Sequence, residues 1–320
     1  MTAVILVTSR SFSSGSIDLV ARLEQAGYRP VLGSSTHDLA ELRADLSQAI
    51  GWIAGTGPVT REHLEAAPKL RVVARYGVGY EAVDVRAAEE RGILVTNTPG
   101  ANSDAVADHA VGLMLAVLRG TPEGDRRVRA GDWSILRGRE LGKLTVGIVG
   151  FGRIGQGVAR RLSGFGSRIL AHDPWLSPAV MRAAGAEPLD VAAMAAECDL
   201  VSLHAPGGPV LVHVDWLAGA RRGLVLVNTA RPELVDEAAV AAALSDGRLG
   251  GFAADTLAGD TRGESSPLLA PDLADRVVLT PHFGAQTVEA VDGMGSLAVD
   301  NLLAALAGET PPNPVRSEAS

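Results

Sequence analysis

The sequence predicts an α/β protein in which helices cover parallel sheets. Short apolar runs rich in β-branched residues alternate along the chain with segments of helical apolar spacing, which is typical of parallel strands joined by crossover helices. A chain of 320 residues with 47% apolar content can also bury more than one core. We therefore expect two domains.

The predicted strands are the short apolar runs. In chain order they are AVILVT, GWIA, LRVVAR, LTVGIVG, RILAHD, DLVSLHA, GLVLVNTA and RVVLT. The longest helical pattern before the middle of the chain runs from Asp104 to Leu118, where apolar residues recur at steps of three and four. This helix could connect the two domains.

A second helical pattern, Val288 to Leu306, follows the last predicted strand. A helix in this position commonly crosses back to an earlier domain, so we expect one domain to be discontinuous in sequence. The segment from Thr121 to Gly142 is polar, arginine-rich and nearly without apolar periodicity, and we interpret it as an excursion over the surface or onto another subunit. The tail from Pro311 is predicted to be loose chain.

Charge and cysteine content restrict the class of function. The formal charge of −8 argues against a partner that is a nucleic acid or an anionic membrane, and favours small soluble partners. The single cysteine, Cys198, excludes an internal disulfide and a thiolate metal cluster, which fits a reducing cytoplasm. No metal site is expected. The apolar run Ala3 to Val7 is too short for a signal peptide or a spanning helix.

A glycine pattern follows the strand LTVGIVG and opens a helical segment. Gly150, Gly152 and Gly155 have the spacing G-x-G-x-x-G, and strand, glycines and helix in this order indicate a dinucleotide site. The first glycine allows a tight turn, the second lets the backbone approach a pyrophosphate, and the third lets helix and strand pack closely. The amino end of the helix would then face the phosphates.

An acid ends the next predicted strand. Asp173 stands about twenty residues beyond the glycines, where a carboxylate accepts hydrogen bonds from the ribose hydroxyls of NAD. It would repel the extra phosphate of NADP, and no arginine follows it directly. NAD is therefore the expected cofactor.

Several ordered motifs extend over nearly the whole chain. They are LRVVARYGVGYEAVD, GILVTNTPGAN, GFGRIG, SLHAP, NTARPELVDE, FAADT and VVLTPHFGAQT. With these motifs the chain resembles the D-isomer-specific 2-hydroxyacid dehydrogenases, particularly the branch that includes 3-phosphoglycerate dehydrogenase. The resemblance implies two Rossmann-like domains: an NAD-binding domain at residues 101–284, inserted into a substrate-binding domain formed by residues 1–100 and 285–320. It also implies a homodimer joined through the cofactor domain, and we expect no appended regulatory domain.

The resemblance places three catalytic residues. The motif NTAR puts the arginine at Arg231, TPH puts the histidine at His282, and Asp260 stands where the family has a glutamate. Reduction of a 2-keto acid needs a hydride at the carbonyl carbon and a proton for the oxygen, which a histidine can supply near neutral pH. A carboxylate against the other ring nitrogen would fix the ring and favour the imidazolium. The arginine fork would bind the substrate carboxylate and polarise the carbonyl.

Other contacts carry over from the family in the same way. The backbone amides of Val78 and Gly79 would bind the substrate carboxylate, and Asp255 would hold the nicotinamide carboxamide. The remaining expected cofactor contacts are Arg153, Ile154, Ala205, Thr229, Ala230 and Gly284. Glu264 is expected to be solvated, although a loop shift could make it the working acid. His109 and His204 are expected to be structural.

The sequence departs from the family pattern at four places. Asp260 is one methylene shorter than glutamate, Pro232 replaces the glycine after the arginine, and HAPGGP lacks the usual leucine and threonine. Ala54 stands where the phosphoglycerate enzyme has an arginine, which argues against 3-phosphoglycerate as the substrate. Two alternatives stay open: oxidation of another small anion such as phosphite or formate, and an NADH-sensing regulator without turnover.

Overall fold

The computed structural model describes residues 2–259 and 265–317. The chain divides into two compact units, each with its own sheet. Unit 1 contains Met1–Asn102 and Ala285–Ser320, and unit 2 is the continuous segment Ser103–Gly284.

Unit 1 is a sheet flanked by helices. Its strands are β1 (Ala3–Val7), β2 (Tyr28–Leu32), β3 (Ala49–Ala54), β4 (Val72–Arg75), β5 (Leu94–Thr96) and β13 (Pro314–Val315). Its helices are α1 (Leu19–Gln25), α2 (Leu39–Leu46), α3 (Arg61–Glu65), α4 (Val85–Glu90) and α12 (Val288–Ala307). The strand order is β13-β5-β4-β3-β1-β2, and every pair is parallel except β13 with β5.

The last helix and the tail complete unit 1. By length and composition α12 could cross a membrane, but 61% of its most apolar window is buried, and Met294, Ala298 and Leu302 belong to the core of the unit. The prediction of a loose tail from Pro311 is wrong at β13. This strand pairs antiparallel with β5, so the backbone of Val315 has a strand partner that is remote in the sequence.

Unit 2 is a second parallel sheet. Its strands are β6 (Thr145–Val149), β7 (Arg168–His172), β8 (Glu187–Pro188), β9 (Leu200–Leu203), β10 (Leu224–Asn228), β11 (Leu249–Ala254) and β12 (Val277–Leu279). Its helices are α5 (Ser103–Arg119), α6 (Thr121–Arg129), α7 (Arg153–Phe165), α8 (Pro178–Ala183), α9 (Val191–Glu197), α10 (Val214–Ala218) and α11 (Glu237–Ser245). The order is β12-β11-β10-β9-β6-β7-β8, and all pairs are parallel.

Both faces of the unit 2 sheet are covered by apolar side chains. Successive residues of β10 belong to different core clusters, with Leu226 in one and Val225 and Val227 in the other. A strand buried on both faces has no polar side, which explains the continuous apolar runs in the sequence. The prediction of an α/β protein with parallel, Rossmann-like sheets is confirmed.

The polar segment after α5 is partly helical, which the sequence interpretation missed. Helix α6 lacks an apolar stripe, but Glu123 pairs with Arg126 and Arg127, and Asp125 pairs with Arg129 at 2.8 Å. Pairs three and four residues apart stabilise such a helix without a core face. The rest of the segment up to Glu140 has no regular structure, and Ile135 is 95% exposed.

Candidate active site

The strand order of unit 2 reverses between β6 and β9, and the loops that leave these strands run in opposite directions. In open α/β sheets, ligands bind outside the carboxyl ends of the strands at such a point. The three glycines follow β6 at this position. Gly150 has a φ of +87°, and a Cβ on it would lie 2.5 Å from the amide nitrogen of Ala205, which follows β9. Glycine is therefore required there by conformation and by space.

The other two glycines differ in their surroundings. A Cβ on Gly155 would lie 2.2 Å from the carbonyl oxygen of Gly150, so helix α7 can approach β6 only because this residue is glycine. A Cβ on Gly152 would meet no atom of the described chain within 4 Å. Gly152 is the N-cap of α7, so Arg153 and Ile154 begin the helix on an open side. This is a cradle suited to an anionic group at a helix amino terminus.

Asp173 lies at the carboxyl end of β7, beside the glycine turn. Its carboxylate accepts a hydrogen bond from the amide of Phe151 at 2.8 Å and one from the amide of Trp175 at 2.9 Å. These two contacts fix the side chain next to the turn. The position fits a carboxylate that binds ribose hydroxyls, and the residues present fit a dinucleotide.

Arg231 leaves the carboxyl end of β10 on a constrained backbone. The side chain of Asn228 accepts from the amide of Ala230 at 3.0 Å and donates to the carbonyl of Arg231 at 2.9 Å, which ties the turn together. Arg231 itself is extended, with φ −137° and ψ 139°, as the following Pro232 predicts. Thr229 and Ala230 are buried in this turn.

The HAPGGP loop packs against the segment that follows Arg231. A Cβ on Gly207, in the HAPGGP loop, would lie 2.3 Å from the Oε1 atom of Glu233 and 3.7 Å from the Cγ atom of Arg231. The side chain of Glu233 therefore occupies the place that a larger residue at position 207 would need. The usual leucine at position 207 could enter this space only if the side chain of Glu233 moved.

Asp255 follows β11 and is almost completely buried, with 4% of the residue exposed. It accepts hydrogen bonds from the hydroxyl of Thr280 at 2.5 Å and from the amides of Phe283 and Gly284 at 3.0 and 2.8 Å. Burial alone raises the pKa of Asp255, but hydrogen bonds from His109, Thr280 and Gly284 outweigh it, and the pKa falls below its ordinary value. Asp255 is thus an anchor for the turn that contains His282.

His282 lies in this turn after β12, with its side chain at the surface of unit 2. Its φ of +53° places a residue other than glycine in the left-handed region. The amide of His282 donates to the carbonyl of Thr280 at 3.0 Å. Because β10, β11 and β12 are neighbours, Arg231, Asp255 and His282 all follow the carboxyl ends of adjacent strands.

The two candidate acids, Asp260 and Glu264, lie outside the described residues. The chain on either side of them is held by one carboxylate that the sequence interpretation missed. Glu237, at the start of α11, accepts from the amide of Ala258 at 2.7 Å and from the hydroxyl of Ser266 at 2.5 Å. Glu237 therefore fixes both described flanks of the acid-bearing segment.

Val78 and Gly79 lie in unit 1, in the loop after β4. The side chain of Asn97 donates to the carbonyl of Val78 at 2.8 Å. Arg75 donates to the carbonyl of Gly79 at 2.9 Å and to that of Ala54 at 3.1 Å. The loop is therefore held through its carbonyl oxygens.

Two other groups are unsuited to acid-base or nucleophilic work. Burial lowers the pKa of His204 to about 4, and its ring nitrogens lie 2.9 Å from the Ser202 hydroxyl and 3.3 Å from the Thr229 hydroxyl. Burial likewise raises the pKa of the Cys198 thiol to about 12. In the part of the chain that the structure describes, no group of three or more His, Cys, Asp or Glu side chains is arranged to hold a metal.

Comparison with known proteins identifies this arrangement. The family model described as "D-isomer specific 2-hydroxyacid dehydrogenase, NAD binding domain" matches residues 111–284, more than half of the chain. The chain belongs to the D-isomer specific 2-hydroxyacid dehydrogenase family. The glycine cradle and Asp173 therefore lie in an NAD-binding domain of this dehydrogenase family.

Individual relatives agree with the family. The chain is 43% identical over 262 residues to D-3-phosphoglycerate dehydrogenase of Mycobacterium tuberculosis, a match that covers 80% of this chain and 49% of the relative. It is 39% identical over 272 residues to glyoxylate reductase of Korarchaeum cryptofilum, covering 82% and 81%. The crystal structure of the TT0316 protein from Thermus thermophilus matches with a TM-score of 0.87 at 36% identity, covering 98% and 99%. The chain thus spans about half the length of the mycobacterial relative.

Proposed function

We propose that this dehydrogenase family member is an NAD-dependent oxidoreductase that transfers a hydride between nicotinamide and a small 2-hydroxy or 2-keto acid. The observation that carries the proposal is the carboxyl edge of the unit 2 sheet. There the dinucleotide cradle after β6 shares one edge with Arg231 after β10 and His282 after β12. A cofactor-binding cradle and both chemical groups needed for carbonyl reduction are thus presented by one rigid sheet.

The chemistry assigns a role to each residue. Bound NADH would supply the hydride for the carbonyl carbon. Arg231 would bind the substrate carboxylate and polarise the carbonyl oxygen with its planar fork of donors. His282 would donate the proton to that oxygen, and in the reverse direction would accept it. The amides of Val78 and Gly79 would bind the carboxylate.

The cofactor contacts follow from the cradle. The amino end of α7, at Arg153 and Ile154, would receive the pyrophosphate, and Asp173 would bind the ribose hydroxyls. A carboxylate at that position repels the additional phosphate of NADP, so NAD is preferred. Ala205, Thr229, Ala230 and Gly284 would complete the binding surface, and Asp255 would bind the nicotinamide carboxamide.

Domain roles and assembly complete the proposal. Residues 101–284 would form the NAD-binding domain, and residues 1–100 with 285–320 the substrate-binding domain. The exposed apolar side chains after α6, including Trp133 and Ile135, suit a homodimer joined through the cofactor domain. A cytoplasmic location fits the single, buried cysteine.

The substrate is expected to be small and without a phosphate group. Ala54 stands where an arginine suited to phosphate would be needed, and its carbonyl oxygen is already bonded to Arg75. With NADH and a panel of glyoxylate, hydroxypyruvate, pyruvate and 3-phosphohydroxypyruvate, loss of NADH absorbance should follow one or more of the small acids. For the phosphorylated acid kcat/KM should be lower by about tenfold or more, since a missing charged hydrogen bond weakens binding by roughly 1.5–3 kcal/mol.

Two results would contradict parts of this proposal. If the phosphorylated acid is the best substrate, the assignment from Ala54 is wrong although the enzyme class stands. If NADH binds tightly but no acid turns over, the protein is an NADH-sensing regulator. Oxidation of phosphite or formate is the remaining alternative; the formate branch usually carries an amide at the position of Asp260.

The acid partner of His282 can be identified by two separate substitutions. Asp260→Asn should lower kcat by roughly tenfold to a hundredfold and move the activity of the reduction reaction to lower pH, because the imidazolium loses its stabilising charge. Glu264→Gln should leave both nearly unchanged. The pH dependence of kcat for each variant decides the assignment. The opposite pattern would make Glu264 the working acid.

A further inference from the structure

A buried polar cluster lies beneath the turn that carries His282, and it includes a residue of α5 that the proposed mechanism does not use. The Nε2 atom of His109 lies 2.9 Å from the hydroxyl of Thr280 and 3.3 Å from the Oδ1 atom of Asp255. The imidazole is 16% exposed and the Asp255 side chain 5%. The imidazole also packs against Phe283, with ring centroids 5.0 Å apart.

The hydrogens of this cluster can be assigned by counting. Asp255 has a depressed pKa, so at neutral pH its carboxylate only accepts. Thr280 has one hydroxyl hydrogen, which it donates to Asp255 at 2.5 Å. The contact of His109 with either oxygen therefore requires a hydrogen on Nε2. His109 is the donor, and a neutral ring with that tautomer is sufficient.

These bonds enclose the turn on both sides of the candidate catalytic histidine. Thr280 precedes His282 and Phe283 follows it, and both are bonded to the same Oδ1 atom of Asp255. His282 has φ +53°, a conformation that costs roughly 1–2 kcal/mol outside glycine. Such a conformation persists only where the surroundings fix it. The contacts of His109 with Thr280, Asp255 and Phe283 are part of what fixes it.

We propose that His109 is a positioning residue for the hydride-transfer reaction: its Nε2 hydrogen holds Thr280 and Asp255, and through them the strained turn that presents His282. This inference rests on the proposed function for its effect on turnover. Its structural part, the holding of the turn, can be measured without substrate. A displacement of the order of 1 Å at a reacting group lowers rates by about a hundredfold, so loss of this anchor should be visible in kcat.

Three variants separate positioning from general stability. His109→Leu removes the donor and keeps an apolar side chain. His109→Gln retains an amide hydrogen close to the place of Nε2. Val111→Ala, on the same helix and buried in the core of unit 2 at 7% exposure, weakens packing without touching the cluster.

In the substrate-free protein, amide exchange at Phe283 and Gly284 should accelerate on the order of tenfold in His109→Leu, because these amides are bonded to Asp255. In the same variant kcat should fall by about a hundredfold with a much smaller change in the NADH Kd. His109→Gln should recover most of both losses. Val111→Ala should lower Tm while exchange at these amides and kcat stay near the wild-type values.

Wild-type exchange at Phe283 and Gly284 in His109→Leu would overturn the proposal, whatever the activity. Faster exchange with unchanged kcat would reduce His109 to a structural role and also contradict it. If the wild-type protein reduces no keto acid, the proposed function fails by that result alone, and the proposal that His109 serves hydride transfer fails with it. The exchange data then still decide whether His109 holds the turn.

Discussion

Replacement of His282 by alanine should lower kcat for keto-acid reduction by roughly 10²–10⁴-fold, the contribution of a positioned general acid. The physical reason is that the oxygen of the reduced carbonyl must receive a proton as the hydride arrives. His204 follows β9 at the same edge of the sheet, but burial holds its pKa at about 4. A histidine that is neutral at pH 7 does not replace the proton donor.

The same variant should bind NADH almost as the wild type does, because the cradle is built from Gly150, Gly152 and Gly155, far along the sheet edge from β12. NADH affinity from fluorescence titration and kcat from absorbance, measured on one preparation, separate the two effects. His213→Ala is a matched control, since His213 is exposed before α10 and makes no side-chain cap bond. Turnover by His282→Ala at the wild-type rate would remove His282 from the mechanism.

Features with a local cause could be predicted from the sequence. The doubly wound sheets follow from apolar runs buried on both faces, and β10 shows why such runs carry no alternation. The glycine cradle is also local, because the positive φ of Gly150 and the close contact of Gly155 arise within a few residues of each other. The extended backbone of Arg231 follows directly from the proline after it.

Features without an apolar periodicity of their own could not be predicted. Helix α6 has no apolar stripe and forms through its own ion pairs, so a search for apolar periodicity passes over it. Strand β13 has only two residues, and its partner, β5, belongs to the other sequence segment of unit 1. A strand of two residues is too short to show an alternation or an apolar run.

The candidate site also has a part that the sequence predicts and a part that depends on remote residues. The residue types and spacing around Arg231 and His282 point to their chemistry, but the groups that hold them are remote in sequence. His109 and Thr280 are 171 residues apart, and Glu237 reaches Ser266 across 29 residues. The contact of Gly207 with Glu233 is of this kind as well, because 26 residues separate them.

Replacement of Arg231 by lysine should be nearly as damaging as replacement by alanine, although lysine keeps the charge. The planar fork of an arginine can bond the substrate carboxylate and the carbonyl oxygen together, whereas an ammonium group is a single point charge on a flexible stem. Removing one partner of a buried, hydrogen-bonded charge pair costs roughly 2–5 kcal/mol. Both variants should therefore lose about 30-fold or more in kcat/KM, with KM raised and kcat lowered.

The backbone around Arg231 is a second reason to expect that lysine cannot replace it. Asn228 ties the turn through Ala230 and the carbonyl of Arg231, and Pro232 restricts the backbone, so the base of the side chain cannot move to let a shorter head group reach the substrate. Arg248→Lys, at a surface pair with Asp246 in the same unit, should change kcat/KM by less than about twofold. In Arg231→Ala, added guanidinium should restore part of the lost rate, and ammonium should not. Wild-type kcat/KM in Arg231→Lys would mean that a positive charge alone suffices, and polarisation of the carbonyl would have to come from another donor.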